Sequence, residues 1–158
     1  MVENLSRISK GVLSLARSES KDSVERVKCE TLIEEELLLA SNPMQSVNVR
    51  IIIDTIKNSF LECEPGKTIQ ILFNLLANAI FAARHGTKEA WIKIGSVLCR
   101  QDSFVEIYVE DSGVGIPPSH HEKIMKPFFS TKPPSEGNGL GLSISQNLAV
   151  SMGGKSGT

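Results

Sequence analysis

Residues 67–84 read KTIQILFNLLANAIFAAR, and this stretch decides the fold because it predicts a long helix that needs neighbours on more than one side. At about 100° per residue, six apolar side chains fall on one narrow stripe, which we expect to face the core. They are Ile69, Leu72, Phe73, Leu76, Ile80 and Ala83. Ile71 and Leu75 lie well round from the stripe, so much of this helix must be buried. His85 and Gly86 end the helix.

Two carboxamides interrupt the apolar surface of this helix. Asn74 and Asn78 are four residues apart, so they are neighbours on the face opposite the main stripe. A buried carboxamide without partners costs roughly 1–3 kcal/mol, and two on one face therefore require a polar partner. That partner is either backbone and water or a metal ion with phosphates, and the helix by itself leaves both open.

The segments on either side of this helix predict an α+β fold in which helices cover one face of a sheet. Residues 31–40 begin with the Thr-x-x-Glu spacing of a capping box, so they predict a helix that ends near Asn42 and Pro43. Residues 47–53, 90–98 and 103–110 predict strands, the last two antiparallel. A turn is expected at residues 64–66, and a last helix at residues 140–152.

The N-terminal residues predict a separate segment. Leu5, Ile8, Val12 and Leu15 have the spacing of a coiled-coil seam, although an amphipathic helix lying on its own domain fits equally well. Residues 17–28 are polar and indicate a linker. We therefore expect residues 1–28 to be the tail of a dimerisation helix plus a linker, and residues 29–158 to form one domain.

Composition excludes several classes of protein. Seventeen basic and eighteen acidic residues give a net charge of -1, which argues against a nucleic-acid binder. We find no apolar run of about 20 residues and no secretory signal, so the expected location is the cytoplasm without membrane insertion. Three cysteines without a CxxC pair favour neither a disulfide framework nor a zinc site.

Asp111 ends the strand predicted at residues 103–110. By the two-residue period it lies on the apolar face with Val105, Ile107 and Val109. A carboxylate there must be hydrogen-bonded, and it suits an exocyclic amine such as that of adenine. The alternative is an Asx-turn that closes the following loop. Gly113 and Gly115 in that loop permit positive φ and a close approach to a flat ligand.

Three glycines precede the last helix in EGNGLGLS, residues 136–143. Gly137, Gly139 and Gly141 there expose backbone N–H groups at the positive end of the helix dipole, which suits a phosphate. Lys132, in the preceding PFFSTKPP, reaches a phosphate or is a solvated loop lysine. The surrounding glycines and prolines are typical of a lid.

Together these segments resemble a known set of four motifs. FNLLANAIFAA (residues 73–83), DSGVGIPP (111–118), KPFFSTK (126–132) and GNGLGLS (137–143) are similar to the N, G1, F and G2 boxes of the histidine-kinase branch of the ATP-binding superfamily that includes gyrase, Hsp90 and MutL. The resemblance covers residues 31–154. It implies a two-layer α/β sandwich of the Bergerat type, with a mixed, mostly antiparallel sheet that lacks its last two strands here.

The resemblance also implies a site for ATP and magnesium. Asn78 would coordinate the metal with help from Asn74, and Asp111 would bind the adenine amino group. The full expected set is Asn74, Asn78, Asp111, Gly113, Gly115, Ile116, Thr131, Lys132, Gly137, Gly139, Leu140, Gly141 and Leu142. Phe128 and Phe129 are expected to anchor the lid by packing. Phe81 and Ala82 depart from the family, which often has a lysine and a tyrosine there.

The expected activity is that of a sensor histidine kinase. Hydrolysing members and serine kinases carry a glutamate where Asn74 stands, and an amide cannot act as that base. Phosphoryl transfer to a histidine is therefore favoured, the acceptor lying on a dimerisation domain of the parent kinase. Expected partners are that domain and, through the parent, a response regulator; a homodimer stays open. The alternatives are an ATPase or serine kinase of the same superfamily, or a non-catalytic nucleotide-sensing module.

Overall fold

The computed structural model describes residues 23–45, 48–55, 59–86, 89–99, 104–155 and 157. Within them the chain forms five strands, three α-helices and one 3₁₀ turn. In chain order these are β1 (Glu25–Lys28), α1 (Cys29–Gln45), β2 (Arg50–Asp54), β3 (Phe60–Cys63), α2 (Pro65–Arg84), β4 (Trp91–Cys99), β5 (Phe104–Asp111), the 3₁₀ turn Pro118–His120 and α3 (Gly141–Ser151). The coiled-coil seam predicted for residues 2–17 lies outside the described residues.

The strands form two sheets. In the larger sheet the order is β2-β4-β5, with β2 parallel to β4 and β4 antiparallel to β5; in the smaller one β1 pairs antiparallel with β3. The predicted α+β class and the antiparallel pairing of the strands at residues 90–98 and 103–110 are thus confirmed. Ile92 pairs with Asp111 and Ile94 with Val109, so Asp111 shares a face with the buried isoleucines.

The core lies between the larger sheet and helices α1 and α2. Leu72 and Leu76 of α2 pack with Ile92 and Ile94 of β4, and all four side chains are at most 2% exposed. Each such burial contributes about 1.5–3 kcal/mol. Because the apolar period of α2 matches its buried face, the prediction of a long central helix is confirmed.

The buried face of α2 is narrower than predicted. Phe73 is 43% exposed, so its expected place in the core is wrong. The buried stripe centres on Leu72 and Ala83, and a residue one position after Leu72 lies about 100° around the helix. Phe73 therefore joins Ala77 and Arg84 on a strip that faces solvent.

Helix α2 is also long and apolar enough to cross a membrane, the one helix of the described part of the chain for which this holds. A core helix of a folded domain satisfies the same criterion. Since Leu72 and Leu76 pack against β4, we assign α2 to the protein interior.

Three local predictions are corrected. Part of the expected linker is strand β1, because its pairing with β3, a strand that the sequence did not predict, satisfies the backbone of both segments. Helix α1 begins at Cys29, so Thr31 lies inside it and does not cap it, and the helix continues past Pro43 to Gln45. The turn expected at residues 64–66 is the first turn of α2, where a proline at the first position loses no intrahelical hydrogen bond.

Candidate nucleotide site

One face of α2 brings three of the predicted segments together. Asn74 contacts Gly141 at the head of α3, Asn78 contacts Lys132 in the loop that precedes α3, and Ala82 contacts Gly113 after β5. The three α2 positions are four residues apart, so they form a row about 12 Å long on the helix. Segments that are up to 67 residues apart in sequence therefore border a single surface.

Asn74 connects α2 to α3. Its Nδ2 donates to the carbonyl of Gly141 and to Oγ of Ser145, both at 3.1 Å, and Ser145 is 3% exposed. Of the two kinds of partner that the sequence left open, Asn74 thus has a backbone one, and it also has a serine hydroxyl that the sequence did not predict. Ser145 was not predicted, because nothing in its local pattern distinguishes it from other serines of the helix.

Asn78 has a cationic partner. Its Oδ1 accepts a hydrogen bond of 2.6 Å from Nζ of Lys132, and the same Nζ lies 4.7 Å from the centroid of the Phe81 ring. Burial lowers the pKa of the Lys132 ammonium, and the Glu136 carboxylate acts in the opposite direction. The Lys132 ammonium therefore occupies the position from which a metal ion would bind Oδ1 of Asn78. Amide oxygens are ligands that Mg²⁺ and Ca²⁺ accept.

Asp111 is half-buried at the end of β5, on the apolar face where the alternation placed it. Its Oδ1 accepts a hydrogen bond of 2.8 Å from the backbone N–H of Gly113, which confirms the Asx-turn interpretation. Ser112 fixes the same loop to β4, since its Oγ accepts from the Trp91 N–H at 2.9 Å. The turn engages Oδ1 of Asp111 and orients the carboxylate as a whole.

Glycine is required where this loop meets the end of α2. A Cβ on Gly113 would lie 2.6 Å from Oδ1 of Asp111 and 2.7 Å from Cβ of Ala82, closer than atoms can pack. A Cβ on Gly86 would lie 2.6 Å from the Ser112 carbonyl oxygen. Of the two loop glycines expected to permit positive φ, Gly115 adopts it, with φ +74°, whereas Gly113 does not. The adjacent Ile116 is 43% exposed.

The loop between the 3₁₀ turn and α3 is held largely by its backbone. Phe128 has φ 67° and donates its N–H to the Gly139 carbonyl at 2.8 Å, and Gly139 itself has φ +68°. The ring of Phe129 meets His120 edge-on at 5.3 Å, as expected for an anchor. Phe128 is 77% exposed, so the prediction that its ring anchors the lid by packing is wrong. Its backbone N–H, bonded to the Gly139 carbonyl, fixes the loop instead.

The remaining predicted residues lie around the same loop. Gly137 packs against Ser130 and Lys132, and Gly139 packs against the Phe128 backbone. Thr131 is exposed, whereas Leu140 and Leu142 are half-buried on either side of the start of α3. Of these residues, Gly137 lies against Lys132, which contacts Asn78, and Leu140 and Leu142 flank Gly141, which contacts Asn74.

A cavity of about 250 Å³ adjoins the row on its solvent side. It is lined by Ala77, Ile80, Phe81, Arg84, Lys132 and Glu136. Of the predicted site residues, Lys132 lines this cavity, whereas Asp111 and the predicted glycines are not part of its lining. Within the described residues no group of three His, Cys, Asp or Glu side chains could hold a metal. Oδ1 of Asn78 is one oxygen ligand that this surface offers to a cation, and it accepts from Lys132 here.

Comparison with known proteins agrees with this geometry. A sequence profile of the family described as histidine kinase-, DNA gyrase B-, and HSP90-like ATPases matches residues 64–157. The two-component sensor PprA of Pseudomonas aeruginosa is 44% identical over 87 residues, which cover 54% of this chain and 9% of PprA. The sensor histidine kinase ZraS of Salmonella typhimurium is 32% identical over 156 residues, 96% of this chain and 31% of ZraS. The chain thus spans less than a third of the length of these relatives.

Solved structures have the same fold. The catalytic domain of the histidine kinase ThkA, in a nucleotide-free form, matches with a TM-score of 0.70 and 31% identity over 82% of each chain. ThkA in complex with the response regulator protein TrrA matches with a TM-score of 0.70 and 27% identity, over 97% of this chain and 43% of that chain.

Proposed function

This chain belongs to the histidine kinase-, DNA gyrase B-, and HSP90-like ATPase family, and we propose that it is the ATP-binding catalytic domain of a sensor histidine kinase. The row of Asn74, Asn78 and Ala82 on α2 carries the proposal, because the three predicted nucleotide segments meet there. In this role the domain holds ATP so that a histidine on another segment attacks the γ-phosphate. Catalysis then consists of positioning and charge neutralisation.

We propose that the segments around the row bind different parts of the nucleotide. The carboxylate of Asp111, oriented by its Asx-turn, accepts a hydrogen bond from the adenine amino group, and Gly113 and Gly115 line the base. Gly137, Gly139 and Gly141 lie at the start of α3, where the helix dipole favours phosphate. Ile116, Thr131, Leu140 and Leu142 complete the surroundings.

Asn78 fits a magnesium ion. Its Oδ1 already accepts from the Lys132 ammonium, so the oxygen is oriented toward a cation. Magnesium in phosphate-binding sites usually keeps several waters and takes few protein ligands besides the substrate phosphates, so one amide oxygen is compatible with it. When bound, the ion would neutralise phosphate charge, and Asn78 would hold it through Oδ1. Asn78 supplies the oxygen, with Asn74 supporting it one turn away.

The side chain of Asn74 argues against hydrolysis as the main activity. Its amide group cannot accept a proton, and its Nδ2 is engaged by Gly141 and Ser145. No general base is thus available at this position to activate water or a serine hydroxyl. A neutral imidazole needs no such base, since it offers its own lone pair to the phosphorus. Transfer to histidine is the reaction this arrangement supports best.

We further propose that the partners are those of a two-component sensor. The histidine acceptor would lie on a dimerisation domain of the parent kinase, connected to this domain through the residues that precede β1. The ThkA–TrrA complex supports a response regulator as the downstream partner. The proposed location of this domain is the cytoplasm.

Calorimetry with a non-hydrolysable ATP analogue and Mg²⁺ tests nucleotide binding. The loss of one charge-assisted hydrogen bond costs about 1.5–3 kcal/mol, so Asp111→Asn should weaken binding roughly 10-fold or more. Glu110→Gln is the matched control, because Glu110 neighbours Asp111 but is exposed on the other face of the sheet. No binding by the unmodified chain would refute the proposal. Labelled ATP and a separate histidine-bearing dimerisation hairpin then test the transfer itself.

A further inference from the structure

Lys132 is hydrogen-bonded to Oδ1 of Asn78, the oxygen that the proposed function assigns to the metal. Its Nζ donates to Oδ1 of Asn78 at 2.6 Å and faces the Phe81 ring at 4.7 Å. Asn78 and Phe81 are three residues apart on α2, so they hold the ammonium from two sides. The ring and the amide oxygen thus define a place for one positive charge.

Backbone hydrogen bonds and close packing within its loop hold Lys132 in this position. The backbone N–H of Lys132 donates to Ser130 Oγ at 3.0 Å, and the N–H groups of Glu136 and Gly137 donate to the Pro133 carbonyl at 2.8 and 3.1 Å. A Cβ on Gly137 would lie 3.0 Å from Cβ of Lys132 and 2.9 Å from Ser130 Oγ. A side chain at position 137 would therefore displace the lysine stem that carries the ammonium to Asn78.

The Lys132 ammonium and a divalent metal ion cannot both bind Oδ1 of Asn78. A divalent ion that approaches Oδ1 meets the ammonium at hydrogen-bond distance from the same atom, and like charges at this separation repel strongly in a partly buried site. Lys132 donates here to a neutral amide, and an anion that comes close gives its ammonium a stronger, charge-assisted hydrogen bond. The phosphates of a nucleotide are such an anion.

We propose that Lys132 is a specificity-determining residue that withholds Asn78 from free metal ions and releases it when a metal–nucleotide chelate arrives. The chelate supplies both charges that the exchange needs: its phosphates take Lys132, and its metal takes Oδ1 of Asn78. This inference rests on the proposed function and names the form of the substrate that the site accepts.

Mn²⁺ tests the exchange, because it substitutes for Mg²⁺ and broadens the NMR signals of nearby nuclei. The probe is the side-chain amide resonance of Asn78, assigned by its loss in Asn78→Ala, and the exposed Asn147 of α3 serves as a second reporter. In the unmodified protein, Mn²⁺ alone should leave the Asn78 signal intact, and Mn²⁺ with the ATP analogue should abolish it. In Lys132→Met, Mn²⁺ alone should abolish it at the same concentration.

Two variants serve as controls. Lys132→Arg keeps a cation in the loop and should resist free Mn²⁺ as the unmodified protein does. Lys126→Met removes an exposed lysine of the same loop and should also behave as the unmodified protein. In the absence of metal and nucleotide, Lys132→Met should shift the Asn78 amide resonance, whereas Lys126→Met should leave it in place.

Three results would overturn the inference: loss of the Asn78 signal with Mn²⁺ alone in the unmodified protein, survival of that signal in Lys132→Met with Mn²⁺ alone, or an unchanged Asn78 resonance in empty Lys132→Met. A failure of the proposed function looks different. In that case the ATP analogue with Mn²⁺ leaves Asn78 unaffected, while the contact with Lys132 is still read from the empty protein.

Discussion

Glu36 of α1 is a buried carboxyl group, and its titration should make a large contribution to how stability depends on pH. The residue is 0% exposed and shares the inner face of α1 with Leu32 and Ile33. Among the residues that the structure describes, neither of its carboxylate oxygens has a hydrogen-bond partner. Burial raises the pKa of Glu36 from 4.5 to about 7. The folded protein therefore holds a proton that the unfolded chain releases.

The sign and size of the effect follow from this difference. A carboxyl group whose folded pKa is raised favours folding most below pH 4.5, and the folded state loses stability as the pH rises toward about 7. At about 1.36 kcal/mol per pH unit, the interval from 4.5 to about 7 corresponds to roughly 3.4 kcal/mol in all. Between pH 5.5 and pH 8 the same two values give a loss of about 2 kcal/mol.

Replacement of Glu36 by glutamine removes the titration with little change in volume. We expect the free energy of unfolding of the unmodified protein to fall by about 2 kcal/mol more than that of Glu36→Gln between pH 5.5 and 8. Urea unfolding followed by circular dichroism at the two pH values measures the difference. Glu34→Gln, an exposed glutamate on the same helix, should keep the pH dependence of the unmodified protein. Equal pH dependence in Glu36→Gln and the unmodified protein would refute the reasoning.

Two further substitutions test the packing behind the site. Asn74→Ala removes the hydrogen bonds between α2 and the head of α3 and leaves Ser145 unpaired, so the free energy of unfolding should fall by about 1–3 kcal/mol. An unchanged urea midpoint would contradict the structural role of Asn74. A methyl group on Gly95 would overlap the Asp54 carbonyl and lie 2.6 Å from the Tyr108 hydroxyl, so Gly95→Ala should destabilise by about 1–3 kcal/mol. Thermal unfolding measures this loss. An unaltered Tm would contradict the prediction, because it would mean that the strands shift to admit the methyl group without loss of stability.

The elements that could be predicted from sequence are those whose pattern repeats locally. The 3.6-residue period placed α2 and put Leu72 and Leu76 in the core. The two-residue period of β5 placed Asp111 on the apolar face, and the register with Ile92 agrees. Both periods arise because a regular backbone turns each side chain by a fixed angle, so a face can be read without knowledge of its partner.

Elements that depend on a distant partner could not be predicted in this way. Strands β1 and β3 have four residues each, too few to establish a period, and they exist because they pair with each other. The exposure of Phe73 depends on which sides of α2 the neighbouring elements cover.

For the site, the residue pattern was enough to identify the groups available: two carboxamides on one helix face, an aspartate turned toward the apolar side, and glycines before the last helix. The contacts that each group makes could not be predicted from that pattern. Asn74 donates to α3, whereas Asn78 accepts from Lys132, although the two residues are equivalent in local pattern. The physical reason is that a hydrogen bond depends on the three-dimensional position of both atoms, and the second atom is 54 or more residues away in the chain.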